Sequence, residues 1–494
     1  MSSLFSLFNP TRTPHSKNVN PIKNFCRLPG AVLCAALLAT SAQADTLGEI
    51  YELALTNDPV LKAAEATFKA DRELGKQGLA RLLPQVTASA GYNDSKLDST
   101  STRFDETTVS LQQLDFDTDG EDEVYTATLS QQIFNLPLWF GFKQSKQLSA
   151  RAEAEFAKSQ QELIVRTAEA YLDVLRAQDN LRTARAEERA IYRQLEQTQQ
   201  RYEVGLIAIT DVHEAQAAYD LSVVNRLSEE VNLGTSIEGL TVLTGREHAN
   251  LQILKDDFVV QAPTPNDRQQ WVDFALQNNL TLKSAQLAVE AARQNARSKR
   301  SAHLPTISGS YNYNDTDTDE VSTVGGVFDF DSDSAAIQQT LSIKLEMPLF
   351  QGGAISSERR QAAQQYQRDN QNLVATKRNT VQDARALFLT VVTDVARIRA
   401  RNQSIVSAQS ALEATQAGYD AGTRNIVDLL NAQRDLYSAR RDYANTRYDY
   451  VINTFRLKET AGTLSPQDIY DLDAAMVPAP EVSRSELSNS AGAQ

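Results

Sequence analysis

GYDAGTRNIVDLLNAQRDLY, residues 418–437, has a twin in RYEVGLIAITDVHEAQAAYD, residues 201–220. Tyr202 falls on Tyr419, Gly205 on Gly422, Ile209 on Ile426, Asp211 on Asp428 and Gln216 on Gln433. Each copy has helix-forming sequence on both sides and a single glycine between. Glycine is the residue that takes positive φ where a helix stops and the chain turns back. Each copy therefore reads as the tip of a helical hairpin, and the chain has two such tips.

Working outward, each tip is the end of a long rod. From Phe142 to Val204 there is neither glycine nor proline, and the stretch is rich in Ala, Gln, Glu, Arg and Leu, all good helix formers. At 1.5 Å per residue such a helix is roughly 90–100 Å long. A second breaker-free helix is expected over 354–417. Its seam is Val381, Ala384, Phe388, Val391, Val395, Ile398, Asn402, Ile405, Gln409 and Leu412, with the alternating three- and four-residue steps of a coiled coil. The first rod carries a similar but weaker seam through Ile164, Thr167, Tyr171, Val174, Gln178 and Leu181. Return helices run towards Thr244-Gly245 and Ala461-Gly462.

Upstream of each rod the period changes from helix to strand. One helix is expected over 45–81, ended by Leu83-Pro84, and one over 268–302, ended by Leu304-Pro305. Val86, Ala88, Ala90 and Tyr92 then alternate with polar residues, as do Tyr125, Ala127, Leu129 and Ile133; a polar loop is expected between Asp94 and Glu123. The second copy repeats this with Ile307, Tyr311 and Tyr313, an acidic loop over 315–334, and Ile337, Leu341, Ile343 and Leu345. The chain is thus a tandem duplication: a first repeat over 45–262 with a hairpin at 84–134, and a second over 263–465 with a hairpin at 305–350. Residues 466–494 close the chain, with a disordered tail expected from Val477.

Residues 1–44 contain no Asp or Glu, begin with Arg12, Lys17, Lys23 and Arg27, continue through the apolar run LPGAVLCAALLAT and end Ala42-Gln43-Ala44. This reads as a secretory signal peptide cut before Asp45. Both cysteines, Cys26 and Cys34, lie in it, so no disulfide or thiolate site is expected beyond it. Leu33 is too large for the residue before a lipid-anchored cysteine. The formal charge of −14 argues against nucleic acid. Beyond the leader no apolar run is long enough for a spanning helix, so membrane insertion would need strands.

Four amphipathic strands cannot close a membrane barrel, which needs about eight, and an open sheet leaves unpaired edges in lipid. Shared closure among identical chains resolves this, with two, three or four copies all geometrically possible. A soluble sandwich packed on helices is disfavoured by the mixed strand faces and the length of the rods. An extended structural coiled coil leaves the strands unexplained.

AIYRQLEQTQQRYEVGLIAITDV (190–212), VSAQSALEATQAGYDAGTRNIVDLL (406–430), HLPTISGSYNY (303–313) and MPLFQGG (347–353) carry a resemblance to the TolC-type outer-membrane efflux and secretion ducts, over nearly the whole chain beyond the leader. The resemblance implies a mixed α+β membrane protein. Its fold would be a homotrimeric twelve-stranded outer-membrane β-barrel, continued by a long periplasmic α-helical barrel with a mixed equatorial belt. It implies an exit duct of a tripartite efflux pump or a type I secretion system, passing small toxic compounds or proteins. Implied partners are a periplasmic adaptor and an inner-membrane pump of RND, ABC or MFS type. By motif match, the hairpin at Gly422 is the inner one and that at Gly205 the outer. Gate links are expected from Tyr419 and Arg424 to Thr210 and Asp211. Asp428 follows the family's pore constriction; a second aspartate expected one turn on is here Asn431, implying weaker block by multivalent cations. The turns Val204-Gly205-Leu206 and Ala421-Gly422-Thr423 are the expected adaptor-docking points.

An enzyme is the first rival reading. His213, His248 and His303 are scattered without metal spacing, and no phosphate loop or nucleophile elbow appears, so no catalytic residue, metal or cofactor is expected. A periplasmic adaptor is the second. Adaptors usually carry one hairpin flanked by compact β domains, whereas this chain duplicates both hairpin and strand pair.

Overall fold

The computed structural model describes residues 45–105, 109–248, 250–324 and 328–478. The expected signal peptide at 1–44 and the tail from 479 onward lie outside them.

The first repeat opens with α1 (Leu47–Asn57) and α2 (Pro59–Ala80). The single helix expected over 45–81 is broken because Asp58 is a helix cap. Its carboxylate accepts from the amides of Val60 and Leu61 at 3.3 and 2.9 Å, and Pro59 takes the first helical position, where a missing N–H costs nothing. Two long strands follow, β1 (Gln85–Asp105) and β2 (Ser110–Phe134). Then come the rod α3 (Leu136–Glu203), the return helix α4 (Ile209–Thr244) and a short strand β3 (Gln252–Leu254). At 68 residues α3 is about 100 Å long.

The second repeat has α5 (Arg268–Asn278) and α6 (Leu280–Arg300), again broken where one helix was expected. Here Asn279 caps, accepting from Leu282 N at 2.9 Å and donating to the Thr460 carbonyl at 2.9 Å. A 3-10 turn at Ser301–His303 leads into β4 (Thr306–Val324) and β5 (Phe328–Glu346). The rod α7 (Ala354–Asp420), return helix α8 (Ile426–Thr460), α9 (Pro466–Asp473) and β6 (Met476–Pro478) complete the described chain. Val477, placed in the expected tail, pairs with Ile253 instead.

The sheet order is β1-β2-β4-β5, antiparallel throughout, so β2 and β4 join the two repeats. The described residues of the two acidic segments expected as loops are almost entirely strand. Asp94 pairs with Glu121, Glu121 with Asp319, and Asp319 with Asp333. Composition alone suggested a loop there because Asp is disfavoured in strands. Twenty-one and nineteen continuous cross-strand pairs in the two hairpins outweigh that preference.

The helices interleave across the repeats. α3 packs on α2, α4, α6 and α8, whereas α7 packs on α5, α6 and α8. The seam expected to be the weaker one is the better buried. Ile164, Thr167, Tyr171, Val174 and Leu181 are all buried on α3, while on α7 only Ala384, Val391 and Ile398 of the expected seam are, and Asn402 is exposed. Midway along α3 the largest apolar core gathers α1, α9 and the β3–β6 pair around it. Tyr171 is fully buried there and donates its hydroxyl to the Gln252 carbonyl at 2.8 Å.

Candidate functional site: the paired helical tips

Both turns are built the same way. Gly205 and Gly422 each sit at φ +74°, a backbone region costly to any residue with a Cβ. Around the first, Gly205 N donates to Tyr202 O and Leu206 N to Arg201 O. Around the second, Gly422 N donates to Tyr419 O and Thr423 N to Gly418 O. These bonds satisfy the orphan carbonyls of the last helical turn. Nothing lies within 4 Å of a Cβ built on either glycine. The tip residues Val204, Leu206, Ala421 and Thr423 are exposed, Val204 and Leu206 at 70% and 72%. Two solvated aliphatic side chains flanking one turn form a small apolar point that a partner could cover.

The two tips differ in how the next helix starts. Asn425 caps α8, accepting from Asp428 N at 2.7 Å, whereas Ala208 gives α4 no side-chain cap. The expected links from Tyr419 and Arg424 to Thr210 and Asp211 are not made within the described protomer. Thr210 reaches its neighbour Asp211 at 3.4 Å, and Arg424 pairs within its own helix to Asp428 at 3.6 Å. The Arg424 stem crosses α7 at Gly418, where a Cβ would stand 2.8 Å from its Cγ. Asn431, one turn beyond Asp428, is exposed and accepts from Arg434 at 2.7 Å.

Tyr419 is 6% exposed, packed with Ile191, Ile426, Leu429 and Leu430. Its hydroxyl has no hydrogen-bond partner within the described protomer. The group that covers it is Arg201, from the end of α3. The guanidinium lies 4.9 Å from the Tyr419 ring centroid and 3.0 Å from the Asp420 carboxylate. Arg201 and Asp420 thus tie the Gly205 tip to the Gly422 tip. Neither was singled out from sequence, although both lie inside the twin motifs, Arg201 immediately before Tyr202 and Asp420 immediately after Tyr419. A side-chain contact between helices distant in sequence leaves no trace in periodicity.

Above the tip, α3, α4 and α8 enclose a cleft of about 330 Å³ lined in part by Glu187, Ile191, Leu221, Leu430 and Arg434. Burial raises the Glu187 carboxyl above its ordinary range, against the opposing pull of Arg441 and Arg434.

Residues 50–246 and 271–463 match the family described as outer membrane efflux protein. The chain belongs to that family. It is 36% identical over 441 residues to outer membrane protein TolC of Vibrio cholerae, covering 89% of this chain and 95% of that one. It is 31% identical to the alkaline protease secretion protein AprF of Pseudomonas aeruginosa, over 88% of each chain. Among solved structures, the outer membrane protein VceC of Vibrio cholerae superposes with a TM-score of 0.66 at 21% identity, covering 84% of this chain and 96% of that one. The family resides in the outer membrane, and this chain is an outer-membrane protein with a periplasmic extension. Among the described residues no helix is long and apolar enough to cross a membrane.

Proposed function

We propose that this chain works as a homotrimer, an outer-membrane exit duct whose periplasmic end is gated at the paired tips. The duct role for efflux and type I secretion rests on family membership and on relatives named for export. Strand arithmetic calls for shared closure, since β1 and β5 are open edges of a four-stranded sheet that must not face lipid; the number three comes from the resemblance to TolC-type ducts, and three copies supply the twelve strands of a closed barrel. The helices present edges too, since α4 and α7 each lack a rod neighbour on one side.

The observation that carries the gate is the Arg201–Tyr419–Asp420 contact between tips that are otherwise joined by apolar packing. Exposed ion pairs are worth about 0–1 kcal/mol each, so a few such links repeated by symmetry make a latch that a docking partner can release. In the trimer Thr210 and Asp211 face the neighbouring Tyr419 hydroxyl, which lacks a hydrogen-bond partner within one chain, and Arg424, which exchanges its own-helix Asp428 contact for the link that completes the latch. The glycine turns are the docking points for a periplasmic adaptor, which recruits an inner-membrane pump. Asp428 rings the constriction and Asn431 leaves the next level neutral.

Purified protein in detergent should run as a heat-modifiable trimer and conduct in planar bilayers. A lone, non-conducting chain overturns the proposal. Asn431→Asp should tighten block by multivalent cations applied from the periplasmic side; unchanged block removes the neutral-ring assignment while leaving the duct intact.

A further inference from the structure

The two faces of the strand sheet exchange chemistry part-way along. Nearest the rods, the face carrying Val86, Leu129, Leu341, Ile343 and Leu345 is apolar and exposed. The opposite face is polar and stitched across strands, with Thr128 to Asn312 and Thr126 to Asn314 at 2.8 Å, and Ser310 to Ser342 at 2.8 Å. Along β2 this polar side is half-buried while the other is exposed, so the sheet curls towards it. That is the pattern of strands with lipid outside and water inside.

Further from the rods the pattern inverts. The outer side becomes a grid of carboxylates: Asp94, Glu121, Asp319 and Asp333 stand in one register row, and Asp98, Asp117 and Asp329 align two rows on. Such groups do not face hydrocarbon. A membrane strand needs about 9–11 residues, and β1, β2, β4 and β5 have 21, 25, 19 and 19, so each hairpin projects well beyond the bilayer. Over this projection the inner side, polar below, gains an apolar cluster. Leu97 and Phe330 share a row with Thr118 and Ser322, and Phe116, Val324 and Phe328 share the next with Ser99, with Leu114 beyond, all in the same register as the inward threonines and asparagines. Leu97, Phe328 and Phe330 are 61%, 65% and 59% exposed within one chain.

Resting on the barrel reading above, we propose that the outward ends of the strands form an apolar collar lining the exterior mouth of the duct, a second constriction at the opposite end from the helical tips. Apolar rings of this kind resist ions and water by dewetting while admitting apolar or wide cargo that displaces the water. The collar is built from side chains that point along the pore radius, so its diameter responds to how far the hairpin ends splay. The acidic outer side keeps the projecting hairpins solvated and holds them apart from lipid.

The chain's two cysteines fall in the expected leader, which suits thiol labelling of intact cells. Single cysteines are placed at Leu97→Cys and Phe330→Cys on the collar and at Asp117→Cys on the acidic side, and treated with a small charged maleimide and a polymer-linked one. Asp117→Cys should label with both reagents. The collar positions should exclude the polymer-linked reagent and label slowly with the charged one. Adding Phe116→Ser and Phe328→Ser to Phe330→Cys should admit both, with the heat-modifiable oligomer retained as the check on folding. Collar positions that label as fast as Asp117→Cys overturn the collar. An Asp117→Cys that neither reagent reaches from outside, in protein that still oligomerises, strikes at the membrane orientation itself and not only at the collar.

Discussion

Tyr202 and Tyr419 occupy the same place in twin motifs and have opposite fates. Tyr202 is 43% exposed, whereas Tyr419 is 6% exposed and roofed by Arg201. The rods repeat the contrast in reverse. On α3, Tyr171 is fully buried at the centre of the largest core, while Phe388, its counterpart on α7, is only partly buried at the edge of that core. Duplication supplied two equivalent hairpins, and packing has made them unequal. The first rod is the axis of the protomer, surrounded by other helices, and the second is an edge. The gate proposed above would use this asymmetry, with the anchored hairpin as a fixed frame against which the less embedded one moves.

The largest expected effect breaks that contrast at mid-rod. Tyr171→Ala removes a fully buried ring and should cost about 3–5 kcal/mol, whereas Phe388→Ala should cost the protomer clearly less and instead weaken the oligomer. Denaturant midpoints and heat-modifiable migration of the two variants separate these outcomes; equal losses would mean that α7 is as embedded as α3.

Next come the turns. Gly205→Val and Gly422→Val place a β-branched residue at φ +74°, a strain of about 1–3 kcal/mol with no steric clash to add. Both variants should fold and assemble. Export assays should show the larger defect for whichever turn carries more of the adaptor contact.

Arg201→Ala removes the ion pair to Asp420 and the ring contact to Tyr419, together about 1 kcal/mol. It should raise single-channel conductance and admit bulky antibiotics. Arg201→Asp combined with Asp420→Arg should recover part of the closure. An Arg201→Ala channel with unaltered conductance would leave the two tips held by apolar packing alone.

The smallest effect concerns acid. Burial pushes the Asp58 carboxyl up, but the Arg166 guanidinium at 2.7 Å and the amides of Leu61 and Val60 outweigh it, and its pKa lies below the ordinary 3.8. Its stabilisation is present above that value and is lost as pH falls through the native one. Asp394, at 0% exposure on α7, is raised by burial, despite the Asn453 hydrogen bond and Arg397. Its contribution is present below 3.8 and is lost as pH rises through the native value. Asp58→Asn should therefore destabilise near neutral pH and converge on the parent in acid. Asp394→Asn should be neutral or stabilising near neutral pH and lose that advantage in acid. Melting temperatures followed from about pH 7 down to about pH 2 decide it.

Much of this molecule was legible in the chain, and for stated reasons. A glycine-free rod between twin turns admits only a long helical hairpin, because helix propensity and breaker placement are local. Strand alternation is equally local, and the twin motifs exposed the duplication. The helix breaks at Asp58 and Asn279 carry a local mark too, a capping residue ahead of Pro59 and Leu280, but the apolar spacing runs on through them and masks it. The acidic strands were not legible, since aspartate in isolation favours turns and only a paired partner at every position makes it extend. Nor was the inequality of the two rods. Burial depends on which neighbours close around a seam, and Tyr171 and Phe388 carry no local mark of their different surroundings. The Arg201–Asp420 contact belongs with these. It spans helices far apart in sequence, so local sequence determined the rods and turns, and only the tertiary packing decided which rod became the axis and which side chains joined the tips.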